Sequence, residues 1–403
     1  MIPLDDPSFL QDPYPILNEI RESTPIFRQQ KAKDGHGVWF LTRHDDVQRT
    51  LRDRRLGRTF EHVLSYDDVG VTPPDPSLQP YLDVERWSLL QLEPPDHTRI
   101  RSLLAREFTP KRVASLEPHM REIVDELFDE ADPGNFELLT DLAQPFSLLV
   151  MCELLGAPFE DRKLLLGWSH AIVKMYELGT TGDQMTAAVD ASREFTEWTK
   201  DLIARRRREP RDDLVSGLCT VETDDGTLTD DEIISTVILL LNAGHEATVN
   251  TLGNGITALL QNPEQWQRLV DGEVTGRDGV EELFRFDSPL QLFERWILVD
   301  GFEVAGQSIP RGDKVAMLFG SANRDPRKWK DPDTFDIGRA DPTHVTFGWG
   351  LHHCIGAPLA RLEVATVLEQ FARRFPAPSL MSDPVRHKTF VIHGYEAVDI
   401  RLT

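Results

Sequence analysis

Cysteine is scarce: Cys152, Cys219 and Cys354 are the only three in 403 residues. Their number is odd and their spacing wide, so no disulfide framework is implied. Long apolar runs are also missing. No stretch approaches the roughly 18 consecutive apolar residues that a membrane-spanning helix needs. The opening Ile2-Pro3-Leu4-Asp5-Asp6-Pro7 lacks the basic patch and apolar core of a secretory leader. These absences predict a reducing, cytoplasmic setting with no membrane anchor. Positive charge is in deficit: 44 Lys and Arg against 67 Asp and Glu give a formal net charge of −23. That excess disfavours nucleic acid as a partner, because phosphates call for a basic surface. The strongest basic cluster, Arg205 to Arg208, reads as a solvated helix C-terminus ahead of Glu209-Pro210, where cations suit the helix dipole. Linkers, low-complexity tracts and repeats are lacking too, so residues 1–403 read as one unit. With 40% hydrophobic residues the chain has ample material for a core.

The pattern along the chain is mainly helical with a smaller β component. Tyr14 to Glu22 and Asp45 to Leu51 carry helical periodicity, with a strand predicted at Gly37 to Thr42 between them. From Leu56 to Leu82 the pattern dissolves into Pro, Asp and Gly; a long irregular stretch of this kind is a candidate substrate-covering loop. Amphipathic helices are predicted near Leu116 to Phe128, Thr140 to Leu155 and Asp183 to Arg208, with the flexible turn Gly179-Thr180-Thr181-Gly182 before the last. Thr229 and Glu232 have the spacing of a capping box, opening a helix that runs to Asn262-Pro263, roughly 45 Å at about 1.5 Å per residue. Strand-like pieces follow at Phe302 to Val304 and Lys314 to Leu318, and Phe390 to Gly394 reads as a late hairpin.

Five short stretches carry candidate chemistry. In Glu93-Pro94-Pro95-Asp96-His97-Thr98-Arg99-Ile100-Arg101, a helix starting after the prolines puts His97 and Arg101 on one face, able to grip one anion. The centre of the long helix, Leu240-Leu241-Asn242-Ala243-Gly244-His245-Glu246-Ala247-Thr248, sets Ala243 and Ala247 four apart on a shallow face. It also places Glu246 in an apolar run, where unpaired burial would raise its pKa. Glu282 and Arg285 are three apart and able to pair. Ser288 to Arg295 is extended after proline. Last comes Phe347-Gly348-Trp349-Gly350-Leu351-His352-His353-Cys354-Ile355-Gly356, whose glycines leave room for something bulky and flat. A helix from Ala357 follows, and its N-terminal dipole favours a Cys354 thiolate. A zinc site from Cys354, His344, His352 and His353 is excluded by geometry, since neighbouring residues cannot all point at one tetrahedral ion. Nucleophilic catalysis by Cys354 lacks an oriented His and carboxylate set.

Together, in this order and separation from about 93 to 365, these stretches resemble the cytochrome P450 family; the last matches its cysteine-ligand loop at every fixed position. The resemblance implies a mainly α, single-domain P450-like fold binding heme b (iron protoporphyrin IX). It implies an axial Cys354 ligand, with Ala243, Phe347, Gly348 and Gly356 against the heme and His97, Arg101, Arg295 and His352 on its propionates. Glu282, Arg285 and Arg339 form the implied structural lock, joined by the meander from Asn323-Arg324-Asp325-Pro326 through residues 328–342. The implied activity is oxygen insertion from O2 into a small apolar substrate, hydroxylation or epoxidation. The implied electron source is a separate ferredoxin and ferredoxin reductase fed by NAD(P)H, docking near Arg106, Lys111, Arg112 and Arg361. Leu240, Asn242, Ala243, Leu290, Gln291, Leu292, Phe293 and Val391 are expected to line the pocket, with Asn242 or Gln291 holding one polar group. One position departs from the family pattern. Ala247 stands where a threonine hydroxyl usually follows the acid, and Thr248, about 100° further round the helix, cannot simply replace it. Proton delivery is therefore expected through Glu246, ordered water and a substrate hydroxyl. The same gap keeps a peroxide-driven peroxygenase open as an alternative; a non-catalytic heme-thiolate sensor is disfavoured because no added signalling domain is evident.

Overall fold

The computed structural model describes residues 2–30, 37–224, 226–339, 341 and 343–403. Helices make up most of it. The longest, Asp230–Gln261, has 32 residues and so spans about 48 Å. Thr229 caps it: its hydroxyl accepts from the backbone of Glu232, whose carboxylate reaches back to the Thr229 N–H. At the other end Asn262 and the following Pro263 stop it. Its sequence is apolar nearly all round, and accordingly it is buried nearly all round. Helices Gln144–Leu155, Arg162–Val173, Gly182–Arg208, Gly276–Phe286 and Ala357–Arg374 pack against it. This helical core is continuous with the apolar faces of Asp96–Glu107 and Glu117–Glu130.

A mixed five-stranded sheet sits beside the helices in the order Ile26–Gln30, Gly37–Leu41, Lys314–Leu318, Leu292–Ile297, Leu56–Gly57. Only the Gly37–Leu41 and Lys314–Leu318 pairing is parallel. Strand Leu292–Ile297 carries Leu292 and Phe293, which line a cavity against the long helix.

Two expectations need correcting and a third holds in part. The stretch from Leu56 to Leu82 is not irregular throughout: it contributes the edge strand Leu56–Gly57, a turn of helix at Tyr66–Val69 capped by Ser65, and the start of helix Gln79–Arg86. Phe390 to Gly394 forms no regular strand but does turn back as a short hairpin: an antiparallel bridge joins Arg386 to Tyr395, the His387 N–H donates to the Gly394 carbonyl at 3.1 Å, and a second bridge joins Ile392 to Leu290. In the arginine run, Arg206 is buried rather than solvated, paired with Asp213 and donating to the Gly156 carbonyl, so it anchors the helix end to two other segments. Of the meander, residues 340 and 342 lie outside the described residues. Among the described residues no helix is long and apolar enough to cross a membrane.

Candidate active site

The loop before helix Ala357–Arg374 presents Cys354. Gly348 and Gly350 adopt φ of 65° and 74°, the left-handed region that side chains resist, and so fold the loop back on itself. The room at Gly350 is not space for a ligand, as expected from sequence: a Cβ there would stand 2.8 Å from the Leu51 carbonyl and 3.1 Å from Arg52 Cα. Gly356 has ordinary dihedrals, and a Cβ on it would meet only Cys354 Sγ, at a normal 3.8 Å. The Cys354 N–H donates to the Phe347 carbonyl at 2.8 Å. The residue is exposed, yet protein walls around it desolvate the sulfur and push the thiol pKa up. The backbone N–H groups of Gly356 and Ala357 at the helix start pull it down, as do Arg101 and Arg361.

Helix Gly276–Phe286 locks this loop through neighbouring side chains. Glu282 takes a fork from Arg285, at 2.6 and 2.8 Å, and accepts from Arg339 at 3.0 Å; all three are buried or nearly so. Arg285 also donates to the carbonyls of Asn323 and Pro332. A buried, doubly bonded guanidinium of this kind holds two chain segments in fixed register. Glu281, which the sequence did not flag, pairs with Arg361 and with His344 at 3.0 Å. Burial would raise its pKa, but those two partners outweigh it and hold it at about 2. Phe347 packs on Phe284 at 4.6 Å with Arg361 stacked over its ring at 4.5 Å.

On the long helix, Ala243 and Ala247 are exposed although the surrounding turns are buried. Glu246 is half-buried and not isolated, contrary to expectation: its carboxylate lies 3.7 Å from His170 Nε2 and accepts from Asn250 at 3.3 Å. Thr248 does not join this face. Its hydroxyl lies 3.0 Å from the Gly244 carbonyl and 3.1 Å from Glu363, on the helix that follows Cys354.

Four basic side chains gather by the loop. His97, fully buried on helix Asp96–Glu107, has no hydrogen-bond partner on either ring nitrogen, and its ring lies 4.5 Å from that of His352. Burial, then the neighbouring His352 and Arg101, hold its pKa down at about 4. His352 approaches Glu93 only to 3.8 Å, too far for a hydrogen bond, which leaves its Nε2 unpartnered. Arg101 donates to the His353 carbonyl at 2.7 Å. Arg295 is buried against the Phe293 ring, and among the described residues no carboxylate pairs with it. Arg58, unremarked in the sequence, stacks on the same Phe293 at 4.3 Å and bonds to the Leu90 and Glu294 carbonyls. A buried cation without an anion, as Arg295 is here, is costly.

A cavity of about 380 Å³ adjoins Ala243, Glu246 and Ala247. Leu290, Leu292, Phe293 and Val391 line it as expected, with Arg58, Tyr81 and Tyr176 added. Asn242 lines it too, 1% exposed and with neither amide atom hydrogen-bonded. Two expected residues do not. Leu239 takes the place of Leu240, which packs into the core one step round the helix. Gln291 turns inward and donates to Tyr14 and the Ser288 carbonyl. Among the described residues, no cluster with metal-ligand spacing includes Cys354.

Fold and site define a class: a mainly α protein that presents a cysteine at a helix N-terminus, beside a cationic edge and an apolar cavity. The family model for cytochrome P450 matches residues 82–274 and 277–391. The polyketide biosynthesis cytochrome P450 PksS of Bacillus subtilis is 34% identical over 402 residues, covering 98% of this chain and 97% of that protein. The vitamin D(3) 25-hydroxylase of Pseudonocardia autotrophica is 37% identical over 358 residues, 88% of this chain and 84% of that one. Among solved structures, P450BioI in complex with hexadec-9Z-enoic acid ligated acyl carrier protein superposes with a TM-score of 0.91 at 30% identity, covering 98% and 99% of the two chains. The chain belongs to the cytochrome P450 family. It is a monooxygenase-type oxidoreductase of that family, whose members bind heme b. The residues fit such a group: the unpartnered nitrogens of His97 and His352 and the unpaired Arg295 suit propionates, the bare faces of Ala243 and Ala247 suit a flat ring, and the exposed Cys354 would offer a thiolate to the iron.

Proposed function

We propose that residues 1–403 form one heme domain that inserts an oxygen atom from O2 into an apolar substrate, by hydroxylation or epoxidation. The observation that carries this reading is a cluster of buried basic side chains beside an exposed Cys354: Arg295, with no paired carboxylate among the described residues, and ring nitrogens of His97 and His352 with no hydrogen-bond partner. In this reading His97, Arg101, Arg295 and His352 hold the two propionates with charge-assisted hydrogen bonds. Cys354 ligates the iron, and Phe347, Gly348 and Gly356 shield the sulfur. Heme b with a thiolate ligand supplies the oxygen chemistry, because the thiolate pushes electron density onto iron and favours O–O cleavage.

The cavity wall favours a substrate with an apolar body and one hydroxyl or carbonyl. Leu239, Leu290, Leu292, Phe293 and Val391 desolvate the body, and the unpartnered amide of Asn242 meets the polar group. Glu246, which faces the cavity and contacts His170, passes protons toward the reacting oxygen. Electrons come from a separate ferredoxin and its reductase, fed by NAD(P)H. Ala247 supports a second reading, direct use of peroxide, since the hydroxyl that would steer bound dioxygen is missing there.

The test is the optical spectrum of purified protein reduced with dithionite under carbon monoxide. The expected Soret band is shifted far to the red and lost in Cys354→Ser; a band typical of histidine ligation in both proteins sinks the reading. Turnover on peroxide at least as fast as on reduced ferredoxin would favour the second reading.

A further inference from the structure

We propose that His170, His245 and Glu246 form a binding site for a borderline divalent cation of the zinc class, set in the wall of the substrate cavity. His170 lies on helix Arg162–Val173; His245 and Glu246 are consecutive on the long helix it packs against. One donor atom from each lies within 4.8 Å of the other two. His170 Nε2 is 3.7 Å from Glu246 Oε2, and the two imidazole rings are 5.9 Å apart, inclined at 38°.

The buried member points to a ligand. His245 is 1% exposed, yet neither ring nitrogen has a hydrogen-bond partner. Leaving such a group unsatisfied is costly. Burial, then His170, depress its pKa to about 3, so it is a neutral imidazole ready to donate a lone pair without first losing a proton. The helix gives it no alternative: in the interior of Asp230–Gln261 the backbone groups are already paired.

The donor set chooses the ion. Two imidazoles and one carboxylate without thiolate suit Zn²⁺ and its neighbours, whereas Mg²⁺ and Ca²⁺ want oxygen shells. Zinc bonds of about 2.0–2.1 Å in a tetrahedron set ligands roughly 3.3 Å apart. The site must therefore contract by at most about 1.5 Å. His170, with its side chain 41% exposed, and the half-buried Glu246 have the freedom to do so, and they open an entry path from solvent. Three protein ligands leave a fourth position for water.

A filled site draws Glu246 away from the cavity and ties up the carboxylate, so the cation inhibits turnover. That consequence rests on the proton role proposed for Glu246; the binding itself does not.

The experiment is isothermal titration of chelator-stripped holoenzyme with Zn²⁺, with elemental analysis after gel filtration. One Zn²⁺ per chain is expected, unmoved by excess Mg²⁺, with affinity falling roughly 100-fold in His170→Ala through loss of one of three ligands. Glu246→Gln should weaken it similarly. His170 is at the surface, so its replacement tests the site without risking the fold. Absence of a tight stoichiometric ion in the parent protein overturns the proposal, as does unchanged affinity in His170→Ala, which would assign zinc to the acidic surface. A protein that binds zinc in this manner but lacks the red-shifted carbon monoxide band would overturn the heme-thiolate reading and leave this one standing.

Discussion

Glu363 shows how far one residue's surroundings can change its chemistry. It is buried on the helix after Cys354, and one carboxyl oxygen has no partner. Burial raises its pKa from 4.5 to about 8, against a lowering contact with Thr248. The Thr248 hydroxyl stands between the Gly244 carbonyl and Glu363 and has one proton for two oxygens, which a neutral Glu363 completes by donating its own. The sign of the linkage follows. The native state keeps a proton that the unfolded chain releases above its own pKa, so this contribution is fully present below about pH 4.5 and lost as pH rises to about 8. Unfolding free energy should therefore fall across that window, by at most about 1.4 kcal/mol per pH unit, and Glu363→Gln should flatten the slope. Denaturation curves at pH 5 to 8 check this; parallel pH dependence in the two proteins would refute it. Ala247 is the opposite case, a cavity-lining position with no polar atom on its side chain. Ala247→Thr should raise product formed per electron consumed for at least one substrate. Equal coupling with every substrate would remove Ala247 from the proton account.

At the scale of elements, the segment between helices Arg162–Val173 and Gly182–Arg208 is tied across the cavity. Glu177 accepts the N–H groups of Val391 at 3.2 Å and Ile392 at 2.7 Å, joining two segments that line the cavity. Charge-assisted bonds of this kind contribute about 1.5–3 kcal/mol each. Glu177→Ala should thus speed both entry and release of substrate, read by stopped-flow absorbance, and raise amide exchange at Val391 and Ile392, with Glu177→Gln between the two. Unchanged exchange would mean that the latch does not hold the walls. The sequence revealed elements whose signal is local and repetitive. The long helix had its capping box, its proline stop and an apolar run, and the Glu282–Arg285 spacing implied a pair. It failed where tertiary contacts decide direction. One residue is 100° on a helix, which separates Leu239 in the cavity from Leu240 in the core. Gln291 is captured by Tyr14, 277 residues away in sequence. Arg58 and Tyr81 lie where no periodicity marks a face, so nothing in their neighbourhood announced the cavity they line.

Over the whole molecule, a net charge of −23 sets the terms on which any electron-donating protein can approach. Four cations were expected to offer a docking face, and the fold spends two of them. Arg112 is engaged by Glu107 and Asp212, and Arg361 by Glu281 and the Phe347 ring. Arg106 and Lys111 remain exposed, and among the described residues neither has an ion-pair partner. They lie at and just beyond the end of helix Asp96–Glu107, the helix that carries Arg101 to the Cys354 loop. Surface charges act mainly on encounter rates and are screened beyond about 8–10 Å at physiological salt. The double variant Arg106→Glu, Lys111→Glu should accordingly slow reduction by ferredoxin at low ionic strength by roughly tenfold. The deficit should shrink as salt rises, while the carbon monoxide spectrum and substrate affinity stay as in the parent. Rates that coincide at every salt concentration would place the electron donor elsewhere on the surface. Equal slowing at low and high salt would show that the substitutions act through the fold and not through attraction.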